Sequence, residues 1–431
     1  MNNQRIGLLA ATVLAALAAP SARAIDVTAG AWTLSFDGNV NANYIYSDCA
    51  DHNDIAGGLA CVSDTTSDSS SSVSNGLLPA ALTVSGATTQ EGQNIGFTFG
   101  LYPGISTNDG GSPNLQSIAS TDLGHTALGT AGLDVRQVFL TVGNSSWGTI
   151  MAGRNIGLFG ADAILNDMTL LGVGAGNGDY AAPANTSLGS IGLGYIYTDW
   201  LSQIDYTTPD MAGAKVTVGI FDPLNTLGQT PVNHSTPGFQ GKIAYTAGPL
   251  YLSASLLYQQ QRALCTDLDE GACAVGSPAG AYVSYGSSAF DLGGKYDVGG
   301  LEFMGWYYRG KGVGTTGLFV NANDGMGQSR DSDGYIAQVT YKMGNTKVGV
   351  NYGDSNLEGT PLDRATVCDI PTGGTVVGCL VRRNDKWSLG LYQNVTDNLL
   401  FVAEFSRLES LSDANQQNTS WNINAGLFLK F

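Results

Sequence analysis

An alternation of apolar and polar residues, repeated in segments of about ten residues, constrains this chain more than any other feature. Residues 421–431 read WNINAGLFLKF, and one parity of this segment is entirely apolar. Those residues are Trp421, Ile423, Ala425, Leu427, Leu429 and Phe431. Asparagine, glycine and lysine hold most of the other parity, with Phe428 as the large exception. Because a strand places successive side chains on opposite faces, the segment is predicted to be a strand with one apolar face.

The same alternation recurs along the chain, separated by connections that are alternately short and long. Clear examples are WTLSFDGNVNANYIY (32–46), YLSASLLYQQ (251–260), GYIAQVTYKM (334–343) and KWSLGLYQNV (386–395). The long connections are predicted at 47–77, 103–131, 155–190, 222–238, 261–287, 310–332, 354–383 and 409–418. This layout predicts sixteen strands: one before the first long loop, a hairpin between consecutive long loops, and one at the end. The parity fails in RQVFLTVG (136–143) and LEFMGWYY (301–308), where both faces carry apolar residues.

A sheet of this size must close or stack, and closure in a membrane explains the pattern best. Lipid-facing strands are apolar outward and polar toward a water-filled interior, whereas a soluble core would bury many Asn and Ser side chains at considerable cost. Aromatic residues near the predicted strand ends are expected to form interfacial girdles, with the filling of a soluble core as the alternative. They are Tyr44, Tyr46, Tyr251, Tyr258, Trp387 and Trp421.

Residues 1–24 are predicted to be a secretory signal peptide, which leaves residues 25–431 as one domain. Arg5 precedes the apolar run IGLLAATVLAALAAP and the small-residue end SARA, so cleavage is expected after Ala24. The alternative, a membrane anchor, is disfavoured because the run is short of the roughly 20 residues that a spanning helix needs.

The formal net charge of −17 limits the partners that the chain can have. Binding of nucleic acid is not expected, because phosphate neutralisation needs a basic surface. The excess of carboxylates either binds divalent cations in acidic loops or serves solubility and repulsion. No other cofactor is expected.

Four stretches of the chain resemble the general porins of Gram-negative bacteria, which are trimeric sixteen-stranded proteins of the outer membrane. They are WTLSFDGNVNANYIY, RQVFLTVGNSSWGTIMAGRN (136–155), SQIDYTTPDMAGAKVTVGIF (202–221) and WNINAGLFLKF. The resemblance implies an all-β transmembrane antiparallel barrel in the bacterial outer membrane. It also implies short periplasmic turns, long extracellular loops, and a third long loop folded into the pore.

The resemblance implies a function and a set of partners as well. The function is a channel for passive diffusion of small hydrophilic solutes and ions. The expected partners are two further copies in a homotrimer, outer-membrane lipid and lipopolysaccharide, and the barrel-assembly machinery, which would read the terminal Phe431 as an assembly signal. A substrate-specific outer-membrane channel is the first alternative, followed by a barrel hydrolase or adhesin.

By the same resemblance, residues 155–187 should narrow the pore. This segment contains Asp162, Asp167 and Asp179 and no lysine or arginine, so the three aspartates are expected to line the constriction. A charged constriction selects by field and by size, and excess acid favours cations, so a weak cation preference is expected.

Basic residues on the opposing wall should moderate that preference. The best carry-overs from the family are Arg136, at its Arg-Gln position, and Arg154, at its Gly-Arg position. By alternation alone, Lys242, Lys342 and Lys386 have lumen parity. The alternative for each of these bases is a position at the rim or at an interface.

Six cysteines fall into three pairs, and each pair lies inside one predicted long loop. The pairs are Cys49/Cys61, Cys265/Cys273 and Cys368/Cys379. Six cysteines allow fifteen pairings, but their placement favours three local disulfides in an exported chain. A metal site is the rival interpretation, and no histidine spacing accompanies the cysteines to favour it. The chain contains no Gly-x-Ser-x-Gly elbow or phosphate-binding loop, so an enzyme is not expected.

Overall fold

The computed structural model describes residues 25–61, 68–105, 133–176, 186–225, 232–264, 281–324, 327–365 and 379–431. The predicted signal peptide lies outside these residues. No helix within the described ranges is long and apolar enough to cross a membrane.

Sixteen antiparallel strands form a closed barrel, as the alternation predicts, and three short strands attach to it. In chain order the nineteen strands of the described residues are β1 (Ile25–Ala29), β2 (Trp32–Cys49), β3 (Ile55–Ala56), β4 (Ser69–Ser74), β5 (Ala81–Gln90), β6 (Gln93–Pro103), β7 (Leu133–Asn144), β8 (Gly148–Ile156), β9 (Trp200–Thr207), β10 (Ala214–Phe221), β11 (Gly238–Ala247), β12 (Leu250–Leu264), β13 (Tyr282–Val298), β14 (Leu301–Lys311), β15 (Asp331–Met343), β16 (Thr346–Glu358), β17 (Cys379–Asn394), β18 (Leu399–Ser412) and β19 (Gln417–Lys430). The barrel staves are β2 and β5–β19, and each pairs with the next in sequence.

The barrel closes where the last strand pairs with the first stave. β19 pairs with β2 from Asn39 to Cys49, and Phe431 exchanges two backbone hydrogen bonds of 3.1 Å with Gly38 just below. A Cβ atom at Gly38 would lie 2.9 Å from the Phe431 ring and would overlap the carbonyl oxygen of Ala81. Only glycine therefore fits at this point of the seam.

The two faces of the strands follow the predicted parity. In β19, Leu427 and Leu429 are 50% and 43% exposed, whereas Asn422 and Asn424 are 1% exposed and face the interior. At the start of β2, Trp32 points outward with them and packs against Phe97 of β6, with ring centroids 5.7 Å apart. The apolar parity of the sequence is therefore the lipid-facing surface.

One aromatic girdle lies near the long-loop rim of the outer face. Trp421 packs against Tyr46 at 5.7 Å and against Phe405 at 6.4 Å, and Trp387 packs against Phe405 at 5.3 Å. Tyr251 is not a girdle residue, and this expectation is wrong. Its side chain faces the lumen, where the hydroxyl donates a hydrogen bond to Asp162.

The two segments with broken parity have different physical causes. In β7 the register shifts opposite Gly100 and Leu101, so Arg136 is an extra residue of a β-bulge and both Arg136 and Gln137 point inward. In β14, Met304, Trp306 and Tyr308 face inward and are buried against chain that folds into the barrel. The second apolar face of β14 therefore packs inside its own barrel and is no evidence for a neighbouring protomer.

The long connections lie where they are predicted, with bounds that differ by up to nine residues, except for the last. Residues 409–418 are predicted to be a long loop, but β18 continues to Ser412 and β19 begins at Gln417. Serine and asparagine face the lumen here, so the polar residues that suggested a loop are the inner face of two longer strands.

One predicted disulfide is present in full. Cys49 and Cys61 are bonded, with their Cα atoms 5.3 Å apart, and Cys379 is also disulfide-bonded. Cys265, Cys273 and Cys368 lie outside the described residues, so the other two pairings stay predictions. Closing a loop of this length stabilises a fold by roughly 3 kcal/mol on the chain-entropy model.

Substitution of Gly38 should prevent barrel closure. A valine side chain at position 38 would push away both the Phe431 ring and the Ala81 carbonyl. Deletion of Phe431 would remove its two backbone hydrogen bonds with Gly38. Both variants should give less folded protein in unboiled gel electrophoresis, where a closed barrel migrates faster than the boiled chain. Gly305→Val is the control, because a Cβ at Gly305 meets nothing closer than 3.8 Å. Folding of Gly38→Val at the control level would contradict the steric argument.

Candidate functional site

Several segments leave the barrel wall and fold into the lumen. They are residues 55–61, 75–80, 157–176 with 186–199, and 312–324. The third of these, the predicted pore loop, carries helix α1 (Ala161–Asn166) and a 3-10 turn at Met168–Leu171. Val173, Ala175 and Leu193 of this loop are 0% exposed. The described parts of the loop therefore lie inside the barrel, as expected.

Two apolar clusters hold these segments against the wall. In the first, Ile164 and Leu170 of the pore loop pack with Trp306 of β14 and Ile336 of β15. In the second, Phe159 and Ile196 of the pore loop pack with other residues, namely Val313 and Phe319 of the segment 312–324 and Tyr308 of β14. The inserted segments thus support one another as well as resting on the wall.

The inner wall of β11 and β13 binds the backbone at the start of the pore loop. The Oε1 atom of Gln240 accepts hydrogen bonds from the backbone amides of Leu158 at 2.8 Å and Phe159 at 2.9 Å. The Oδ2 atom of Asp291 accepts one from the amide of Gly160 at 2.6 Å. These bonds satisfy donors that would otherwise be buried without a partner, just before α1 begins.

The inner wall of β15–β18 binds the rest of the loop in the same way. Gln338 accepts a hydrogen bond of 2.6 Å from the amide of Met168, and the Lys386 ammonium donates one of 2.7 Å to the carbonyl of Gly189. Glu404 accepts hydrogen bonds of 2.8 Å from the amides of Val173 and Gly174. Its other carboxylate oxygen accepts one of 2.6 Å from the hydroxyl of Tyr392.

The predicted constriction residue Asp162 faces the lumen wall and is paired. It lies on α1, is 7% exposed, and forms an ion pair with the Lys242 ammonium at 3.2 Å. The Tyr251 hydroxyl donates a hydrogen bond of 3.0 Å to the second carboxylate oxygen. Asp162 and Lys242 therefore both lie inside the barrel, and their charges largely neutralise each other.

The hydrogen-bond partners of Asp167 are all neutral groups. Its side chain caps the 3-10 turn by accepting a bond of 3.0 Å from the amide of Thr169. It also accepts bonds from the Tyr195 hydroxyl at 2.8 Å and the Asn351 amide at 3.1 Å. With 3% exposure its carboxyl group is held beneath the loop surface. Asp179, the third predicted aspartate, lies outside the described residues.

The two arginines carried over from the family are in different places. Arg136 faces the lumen but is 4% exposed, with its Nε atom 2.8 Å from Asp134 and its guanidinium 5.0 Å from the Tyr102 ring centroid. Arg154 lies opposite Val138 and Ser202, which are exposed on the outer face. Cross-strand partners share a face. The expectation that Arg154 lines the lumen is therefore wrong, because it has outward parity.

The lysines with predicted lumen parity all lie on the inner face. Lys242 and Lys386 contact the pore loop, as described above. Lys342 shares the inward parity of Gln338 and Thr340 and lies exposed near the short-turn end.

Asp199, at the end of the pore loop, is an ionisable group inside the barrel that the sequence did not single out. It is 1% exposed, and its side chain accepts a hydrogen bond of 2.6 Å from the amide of Trp200. Burial raises the pKa of Asp199 to about 6, against the opposing effects of the Trp200 amide and of Arg154 and Arg136. The charge of the lumen therefore changes as the pH passes through this value.

Sequence reasoning missed the wall residues that hold the loop, namely Gln240, Asp291, Gln338 and Glu404. The signal that could have found them is parity, because each is a buried polar side chain on the inner face of its strand. No cluster of His, Cys, Asp or Glu in the described ranges is placed to hold a metal ion.

The sequence profile of the Gram-negative porins matches residues 10–413. No curated protein sequence matches the chain significantly. Among solved structures, the outer membrane channel DcaP of Acinetobacter baumannii is similar with a TM-score of 0.63, 14% identity, and coverage of 95% of this chain and all of that one.

Two further structures share the fold. The trimer form of OmpT of Vibrio cholerae has a TM-score of 0.53 and 15% identity over 93% of this chain and all of its own. OmpF of Salmonella typhi, solved with daunomycin, has a TM-score of 0.55 and 12% identity over 94% of this chain and all of its own.

Removal of the Glu404 carboxylate should loosen the pore loop. Glu404→Ala leaves the amides of Val173 and Gly174 without acceptors, at about 1–3 kcal/mol for each buried donor. Single-channel recording should then show higher conductance and more frequent current fluctuations than the wild type. Glu409→Ala is the matched control, because Glu409 lies on the same strand but faces outward. Unchanged recordings from Glu404→Ala would contradict the anchoring role.

Proposed function

The chain belongs to the Gram-negative porin family, and we propose that its lumen passes small hydrophilic solutes and ions by passive diffusion, with a weak cation preference and no catalytic step. The chain is an outer-membrane channel by family and fold. The observation that carries the finer proposal is the pore loop, which is fixed inside the barrel by wall side chains from β11 to β18. It narrows the passage without needing a conformational cycle.

The wall opposite the loop anchors carries shorter polar side chains. The inner face of β5–β7 carries short hydroxyl side chains at Thr83, Ser85, Thr98 and Thr141. None of these side chains is hydrogen-bonded to the inserted segments that the structure describes. These short side chains take less room inside the barrel than Gln240, Gln338 and Glu404 do, which suits unspecific passage.

The charge of the lumen supports a preference that is weak. The chain carries 36 acidic and 19 basic residues, but the Lys242 ammonium compensates Asp162. The hydrogen-bond partners of Asp167 are neutral groups, and we assign the remaining cation preference to this carboxyl group. A passage narrower than the Debye length of about 8–10 Å does not screen such a charge fully, so cations are enriched most strongly in dilute salt.

A substrate-specific channel is the second candidate, and the number of inserted segments favours it. Besides the pore loop, residues 55–61, 75–80 and 312–324 also occupy the lumen and leave less room than one loop would. Liposome swelling with sugars of increasing size separates the two functions. A general channel gives rates that fall smoothly with solute size, whereas a specific channel gives a fast, saturable rate for one solute.

The proposed assembly is a homotrimer in contact with outer-membrane lipid and lipopolysaccharide, built by the barrel-assembly machinery that reads Phe431. Membership of the porin family supports the trimer, and OmpT of Vibrio cholerae is known in a trimer form. Phe431 fits the assembly signal because it ends an outward-facing apolar row at the closing seam.

Separating Asp162 from Lys242 should shift ion selectivity in opposite directions. Asp162→Asn leaves the Lys242 ammonium unpaired in the lumen, and Lys242→Gln leaves the Asp162 carboxylate unpaired. In a salt gradient, the zero-current potential should move toward anion selectivity for the first variant and toward cation selectivity for the second. Asp210→Asn, in an exposed short turn, is the control. Equal potentials for all three would show that this pair does not face the ion path.

Acidification should weaken the cation preference through Asp199. Above its pKa of about 6 the carboxylate is ionised, and below it the group is neutral, so this group removes one negative charge from the lumen between pH 7.5 and pH 5. The zero-current potential of the wild type should move toward the anion side over this range. Asp199→Asn should show a smaller shift. An equal shift in both proteins would assign the pH dependence to other groups.

A further inference from the structure

A groove of about 720 Å³ runs along the outer face of β11–β15 close to the long-loop rim. Its walls are apolar side chains that point away from the barrel, chiefly Phe239, Leu256, Tyr258 and Phe290. In the register, the row of Tyr258 continues to Lys311, and the row of Leu256 and Phe290 continues to Arg309. The groove is therefore apolar along most of its length and bounded by two cations on β14.

Arg309 and Lys311 have no partner within the described part of the chain. Both are exposed, and neither takes part in a hydrogen bond or an ion pair there. Asp333 lies opposite Arg309 and Asp331 opposite Lys311 in the register, but no pair of these side chains is within salt-bridge distance. Of the four, Arg309, Lys311 and Asp331 line the groove, and two cations with one carboxylate leave it a net charge of +1.

Two other arginines at the same rim are ion-paired. Arg383 of β17 lies 2.9 Å from Asp385 and 3.0 Å from Glu409, and Arg407 of β18 lies 3.3 Å from Glu409. All four side chains have outward parity. Ion pairs thus form at this height on the outer face, but the described residues form none at the groove.

An unpaired cation beside an apolar surface is least costly where the membrane supplies an anion. Lipid-facing Arg and Lys destabilise a barrel at the bilayer midplane and become nearly neutral at the interface. Phosphate groups lie at that interface, and the arginine guanidinium matches phosphate with two parallel hydrogen bonds. An apolar groove that ends at two cations is complementary to an amphiphile whose anionic headgroup lies next to its apolar chains.

We propose that this groove binds a phosphorylated lipid of the outer leaflet. Arg309 and Lys311 bind the phosphate, and an acyl chain lies along Phe239, Leu256 and Phe290. The inference deepens the proposed contact with outer-membrane lipid and rests on it, and a loss of lipid binding would leave the proposed diffusion channel unaffected. A lipid brings in one molecule the phosphate for the two cations and the acyl chain for the apolar groove, so we commit to a lipid and not to a second copy of the chain.

The binding test uses the purified full-length mature protein in detergent. Native mass spectrometry measures adducts with three probes: bisphosphorylated lipid A, the same lipid with both phosphates removed, and inorganic phosphate. We expect adducts with the first probe, far fewer with the second, and none with the third at equal concentration. Binding of inorganic phosphate as strong as that of the lipid would overturn the proposal, because the groove would then play no part.

Charge variants identify the headgroup site. Replacing Arg309 and Lys311 with glutamine should lower the affinity for bisphosphorylated lipid A by about fivefold for each cation removed. Arg407→Gln is the matched control, because it removes one positive charge from the same rim at a paired position outside the groove. It should change the affinity by less than twofold. An equal loss from Arg407→Gln would reduce the effect to general surface charge and overturn the site.

A substitution that fills the groove tests the binding of the acyl chain without altering the charge. A Cβ at Gly241 meets nothing closer than Val218 at 3.7 Å, so Gly241→Leu is accommodated and projects into the groove. Gly305→Leu makes the same change in a second outer groove, which has no outward-facing basic residue along it. We expect Gly241→Leu alone to weaken lipid binding. The proposal fails if both variants bind lipid as the wild type does, or if Gly241→Leu instead dissociates the oligomer, which would make this face an interface between copies.

Discussion

Every other feature of this protein depends on the requirement that backbone hydrogen bonds inside a membrane be satisfied by the chain itself. Sixteen staves meet that requirement only if the last one finds the first. The seam between β19 and β2 is therefore the critical contact, and it ends at the paired backbones of Gly38 and Phe431. Once the ring is closed, the apolar parity of every strand faces lipid and the polar parity lines a lumen.

The same rule then governs what can enter the lumen. An inserted loop brings its own amides and carbonyls into a confined space, and each must find a partner. The inner wall supplies those partners from fixed positions: Gln240, Asp291, Gln338 and Glu404 accept from loop amides, and Lys386 donates to a loop carbonyl. The polar inner face of the closed barrel thus also positions the pore loop. Fold and constriction share one physical cause.

Much of this could be read from the sequence, because parity has a period of two and survives in single strands. It gave sixteen staves, the outward apolar rows, the seam, and the lumen side of Lys242, Lys342 and Lys386. It could not place Tyr251 or Arg154, since a residue near a strand end fits either a girdle or a lumen until the register is known. Parity also cannot reveal partners. The sequence shows that Asp162 is acidic, but it does not show that the Lys242 ammonium lies 3.2 Å from it.

The bulge at Arg136 shows why local sequence misled in β7 and what the fold gains there. Without the extra residue, Arg136 and Gln137 would lie on opposite faces, and an arginine would point into lipid. The bulge turns both inward, where Arg136 meets Asp134 and Gln137 accepts a hydrogen bond from Tyr102. The outer face of β7 then stays apolar on both sides of the irregularity, at Val135 and Val138. The break in the sequence alternation at the bulge therefore preserves the alternation between an apolar outer face and a polar inner face. A chain that is only 14% identical to a similar structure can still satisfy this requirement.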